Sequence, residues 1–92
     1  MTKEFTMTEN DLIAIERLVA AAQSGPWVSY VEGREHESGS SFIMTGSGVT
    51  RGNDIELSGA TIADQDFIAA ARQAVPLLIA EVRLLRRKIG SV

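Results

Sequence analysis

The chain has 92 residues, 45% of them hydrophobic and 23% charged, with no cysteine and a formal net charge of −3. That is enough sequence for one domain and apolar enough to exclude a disordered chain. The lack of cysteine excludes a disulfide scaffold, thiolate chemistry and a cysteine metal knuckle. Residues 1–7 are short and polar, with no apolar stretch of the signal-peptide kind, and the most apolar run, 75–85, is too short for a bilayer and contains Glu81 and Arg83. A soluble, cytoplasmic protein is expected.

The net charge hides a polarity along the chain. Residues 1–71 hold eleven acids against four bases, and residues 72–92 hold one acid, Glu81, against five bases. An acidic body with a basic tail suits a basic protein partner, or head-to-tail pairing between copies. It lacks the basic stripe of a nucleic-acid footprint.

In chain order, residues 1–7 are expected to fray. A helix is predicted over 8–23, with Thr8 as cap and Asp11 in the capping-box position; Leu12, Ile15, Val19 and Ala22 recur at helical spacing. Ser24, Gly25 and Pro26 stop it. The period then changes to two, predicting strands over 27–32, 41–45 and 54–58, separated by the polar loop 33–40 and by Gly46-Ser47-Gly48 with Arg51-Gly52-Asn53. Loops this short require antiparallel connections. The predicted sheet, 27–58, is therefore a three-stranded antiparallel meander.

A long helix is predicted over 62–89, with Thr61 or Asp64 as cap, Arg86, Arg87 and Lys88 near its C-terminal end and Gly90 beyond. Ala71, Val75, Leu78, Val82, Leu85 and Ile89 form a heptad seam that Phe67 extends by one step, and Ile68, Ile79, Leu77 and Leu84 widen it. The register continues through Pro76, so a kinked but continuous helix is expected. At 1.5 Å per residue the helix is about 40 Å long. A compact chain of this size has a radius of gyration of about 12 Å, so the helix outruns the body it covers. Leu78, Val82, Leu85 and Ile89 are the candidate self-association residues, with a dimer favoured. The expected fold class is α+β, in the order α-β-β-β-α, with the sheet packed by both helices.

Few residues offer chemistry. His36, the one histidine, stands in Arg34-Glu35-His36-Glu37, with too few converging ligands for a metal; a solvated loop histidine is expected. Thr45-Gly46-Ser47-Gly48 precedes no helix and has no lysine nearby, which makes it a turn and not a phosphate loop. Asp54 and Glu56 share one face of a predicted strand. Without a cleft to shift their pKa values they suggest an acidic docking surface, to which Glu32, Glu35 and Glu37 contribute. Trp27 is expected to staple the first helix to the sheet; Trp27, Tyr30 and His36 are also the candidate contacts for a small ligand. Arg86-Arg87-Lys88 are read as dipole and solubility features. No cofactor or metal is expected.

Asp66-Phe67-Ile68-Ala69-Ala70-Ala71-Arg72, followed by Val75-Pro76-Leu77-Leu78 and Glu81-Val82, resembles a pattern in small bacterial and phage-encoded proteins, some grouped as phage Ea22-like proteins. Those proteins also carry Gly-Pro-Trp after an N-terminal helix, as at Gly25-Pro26-Trp27 here. The resemblance covers the two helical ends, about half of the chain, and leaves the strand region unmatched. It implies an accessory protein of a mobile or phage-related locus, and it brings no catalytic residue with it.

The function expected from these features is non-enzymatic protein binding, of the kind an immunity or inhibitor protein performs when it masks a toxin or defence enzyme through an acidic surface. The alternatives are a homo-oligomer that binds a small molecule or nucleotide, and a nucleic-acid accessory factor acting through Arg86 and Arg87.

Overall fold

The computed structural model describes residues 6–90 and orders them as helix α1 (Glu9–Ala21), strand β1 (Trp27–Tyr30), strand β2 (Phe42–Thr45), a single 3-10 turn (Gly48–Thr50) and helix α2 (Ile62–Lys88). Both helices begin with a reciprocal capping box. In α1 the Thr8 hydroxyl accepts from Asp11 N and the Asp11 carboxylate accepts from Thr8 N; Thr61 and Asp64 repeat the arrangement in α2. These caps satisfy backbone donors that the first helical turn leaves free. α2 runs through Pro76 without interruption and ends before Gly90, whose φ of 69° suits the left-handed position beyond a helix. Most of the expected frayed terminus, residues 1–5, lies outside the described residues. Within them, the Met7 carbonyl accepts from Arg86 on α2.

The sheet corrects the expectation. It has two strands, β1 and β2, antiparallel with Trp27 opposite Thr45 and Tyr30 opposite Phe42, and not a three-stranded meander. The segment predicted as a third strand, 54–58, reaches β2 at one point only. Ile55 exchanges both backbone hydrogen bonds with Ile43, at 2.8 and 2.9 Å, and pairing stops there. The causes lie on either side. Upstream, Gln23 Oε1 accepts from Asn53 N and Thr45 Oγ1 donates to the Asn53 carbonyl, which binds that stretch to side chains instead of a ladder. Downstream, the chain turns at Ser58 and Gly59 after only two more residues. Alternation over five residues therefore yielded one buried apolar contact and no strand.

Two glycines shape the 46–53 loop. A Cβ on Gly46 would sit 2.0 Å from the Thr50 carbonyl oxygen, and its φ is 69°; a Cβ on Gly52 would sit 2.4 Å from Gln23 Oε1. Close backbone approach needs glycine at position 46, whereas at position 52 a Cβ would displace the Gln23 side chain.

The core is thin. Among the described residues the buried apolar side chains are Leu12, Val31, Ile43, Ala69 and Ile79, joined by buried Thr45 and Gln65. The molecule measures 51 × 34 × 19 Å and has a radius of gyration of 16.5 Å, well above the roughly 12 Å of a compact chain of this length. α2 is the long dimension, and the sheet and α1 cover it on one side.

Candidate functional site: the outer face of the long helix

α2 meets the rest of the chain along Gln65, Ala69, Arg72, Pro76, Ile79, Arg83 and Arg86, which are buried or half-buried and recur at steps of four and three. At its N-terminal half, two glutamines lock it to the sheet. The two N–H groups of the Gln65 amide serve three acceptors, Ser29 Oγ (2.9 Å) and the Tyr30 and Phe42 carbonyls (both 3.2 Å), with at least one N–H shared, so one side chain holds α2 to both strands. Gln73 Oε1 accepts from Trp27 N (2.7 Å) while its Nε2 donates to the Trp27 carbonyl, as a neighbouring strand would. Ala69 between them lets the helix backbone come close. At the C-terminal half, Arg83 bridges Glu9 and Glu16 of α1. Those carboxylates raise the Arg83 pKa, the Glu16 hydrogen bond first and the Glu9 bond second.

The heptad seam is not the row that covers the body. Phe67 is 72% exposed, Leu78 61%, Leu85 50% and Ile89 72%, while Ala71, Val75 and Val82 are half-buried. At 100° per residue, seam and inner row lie about a third of a turn apart around the helix. Of the expected self-association residues, Leu78, Leu85 and Ile89 are exposed and Val82 is half-buried, along about 16 Å of helix, with Leu77 also exposed beside them. Beside Phe67, at the N-terminal end of this face, an open groove of about 470 Å³ is lined by Leu57, Ala60, Ile68 and Phe67, with Asp64 at its edge.

The acidic residues Glu32, Glu35, Glu37, Asp54 and Glu56 are all exposed, and three of them also bond within the chain. Glu35 accepts from Val31 N at 2.7 Å and pairs with Arg34, and these bonds, the backbone one first, lower its pKa. Glu32 accepts from Gly39 N, and Asp54 pairs with Arg51 at 2.7 Å. Only Glu37 and Glu56 of the five make no hydrogen bond or ion pair among the described residues. Arg34 also makes a two-pronged bond to Asp66, both arms 2.9 Å. That bond, with a lesser one from Ser29, holds the Asp66 pKa at about 2.

The three candidate ligand contacts divide. Tyr30 and His36 come together with Phe42: the Tyr30 and Phe42 rings stack at 5.5 Å and His36 lies 5.2 Å from Phe42. His36 is half-buried there, where a fully solvated ring was expected, with Nδ1 accepting from Ser38 N and Nε2 buried without a hydrogen-bond partner among the described residues. Packing against two rings outweighed its polar sequence neighbourhood. Trp27 stands apart. Its Nε1 donates to the Gln23 carbonyl, two residues beyond α1, and Arg72 lies 5.9 Å over its ring, so it ties α2 and the segment after α1 to β1. Among the described residues α1 itself packs on α2 and not on the sheet, which corrects the expectation that both helices cover it. None of the three lines the groove.

Among the described residues, no group of three or more His, Cys, Asp or Glu side chains could hold a metal, and no helix is long and apolar enough to cross a membrane. Sequence reading had not singled out Gln23, Gln65 and Gln73, which carry most of the cross-links between elements. A small alanine flanked by glutamines at i−4 and i+4 was the available signal for the inner face. No protein-family model, curated protein or solved structure matches the chain.

Proposed function

We propose that this chain is a non-enzymatic, protein-binding accessory protein whose working surface is the outer apolar face of α2. The observation that carries this reading is the exposure of Phe67, Leu78, Leu85 and Ile89 at heptad spacing on one helix. Scattered apolar residues are ordinary on a protein surface, but a contiguous row beside a thin core is the mark of an interaction site. Masking of a toxin or defence enzyme, as an immunity or inhibitor protein does it, is compatible with that surface. Recognition would then rest on apolar packing. Glu37 and Glu56 would steer a basic partner at most, because the other acids of the set are engaged inside the chain.

Binding of a small molecule is the weaker reading, because Trp27 is separated from Tyr30 and His36 and the groove is open and apolar. The test is capture of proteins from host extract by tagged wild-type protein and by the Leu78→Asp and Leu85→Asp variants, each checked for retained helix content. The wild-type chain should retain a stoichiometric protein, a second copy of this chain included, that both variants lose. Equal capture by all three would overturn the assignment of the site to α2.

A further inference from the structure

We infer that the occupant of the α2 face is a second copy of this chain, laid antiparallel across a two-fold axis at Leu78. This rests on the preceding reading of the face and adds the identity and direction of its partner.

Two observations support it. The first is the seam's own symmetry. Counting outward from Leu78, Ala71 and Leu85 lie seven residues away on either side, and Phe67 and Ile89 lie eleven away. An antiparallel copy therefore sets Leu78 against Leu78, small Ala71 against large Leu85, and Phe67 against Ile89. Such alternation of small and large side chains lets two helices interdigitate. The closed two-fold arrangement uses the same patch twice and leaves no free patch to propagate.

The second is charge. α2 carries Asp64 in its first turn and Arg86, Arg87 and Lys88 in its last. Antiparallel pairing brings Lys88 of one copy within about one helical turn of Asp64 of the other and opposes the two helix dipoles. Parallel pairing would stack the basic ends together. The groove of Leu57, Ala60, Phe67 and Ile68, with Asp64 on its edge, lies where the partner's Ile89 and Lys88 would arrive.

The absence of cysteine makes a direct test clean. Single variants Ala71→Cys, Leu78→Cys and Leu85→Cys are oxidised separately and in mixtures, alongside sedimentation of the wild-type chain over a range of concentrations. Sedimentation should give a species of twice the 9.9 kDa chain mass. Leu78→Cys should cross-link with itself, and Ala71→Cys should cross-link with Leu85→Cys on mixing. Neither of these last two should cross-link alone, because a disulfide bridges Cα atoms only within about 7 Å. Efficient self-cross-linking of Ala71→Cys and Leu85→Cys would show a parallel pair and overturn the proposal. So would a wild-type chain that sediments as a monomer throughout. In that event the broader reading of the face is judged separately: capture of a host protein lost in Leu78→Asp keeps it, and no such capture removes it too.

Discussion

Gln65 offers the sharpest test of how the fold is held. It is buried on α2, and its amide nitrogen serves Ser29 Oγ and the carbonyls of Tyr30 and Phe42, which lie opposite each other on β1 and β2. Gln65→Leu keeps the volume and removes the donor. Each lost bond is worth about 0.5–1.5 kcal/mol, and added apolar burial offsets part of the sum, which leaves a net loss of about 2 kcal/mol. With a urea m-value of about 1–2 kcal/mol per molar for a chain this small, the midpoint should fall by roughly 1–2 M. Gln65→Glu should cost more at neutral pH, about 3 kcal/mol or above, because a carboxylate would face acceptor oxygens it cannot satisfy. That excess should shrink as pH falls and the introduced carboxyl takes up a proton and can donate. The assay is equilibrium unfolding followed by Trp27 fluorescence at one fixed protein concentration. An unchanged midpoint in Gln65→Leu would refute the claim that this amide ties the helix to both strands.

Other outcomes follow from single contacts. The Asp66 pKa is depressed from 3.8 to about 2, chiefly by Arg34, so its contribution to stability is present above about pH 4 and is lost as pH falls toward 2. Asp66→Asn should flatten the acid limb of a plot of midpoint against pH, and an unaltered limb would remove Arg34–Asp66 as a cause. Thr61→Ala and Thr8→Ala each remove a capping hydroxyl and should cost about 1 kcal/mol, read as a lowered thermal midpoint. Trp27 is half-buried and bonded to the Gln23 carbonyl, so native emission should be blue-shifted and should move red on unfolding; a water-like native spectrum would place the ring in solvent. If α2 pairs with a second copy, the thermal midpoint should rise with protein concentration, as mass action requires.

The helices were legible because their signals are local. Capping pairs at Thr8–Asp11 and Thr61–Asp64, the stop at Gly25 and Pro26, and Gly90 after a basic turn each act within a few residues, and the elements fall within a residue or two of the expected ends. Strand pairing is not local. Nothing in Asp54–Ile55–Glu56 distinguishes a strand from a chain that touches β2 once, because the outcome is set thirty residues upstream, where the Gln23 side chain holds Asn53. The charge pattern is incomplete for a related reason. Sequence counts an acid as free until a partner is known, and Arg34, Arg51 and several backbone donors had already taken Glu35, Asp54 and Glu32.

Heptad spacing on α2 shows how far a periodic signal reaches. Periodicity shows that apolar side chains share a face; it does not say which object covers them. Here two rows with the same spacing run down one helix. The row that meets the body contains Gln65, Arg72 and Arg83, whose polar ends bond the sheet, the segment after α1 and the acids of α1. The richer apolar row is only partly covered, with Phe67, Leu78, Leu85 and Ile89 exposed. A chain with five buried apolar side chains among its described residues has little hydrophobic stabilisation in reserve, yet it directs its bulkiest helical residues away from the core. Those positions make physical sense if burial is completed by another molecule, which is the outcome that the capture and cross-linking experiments test.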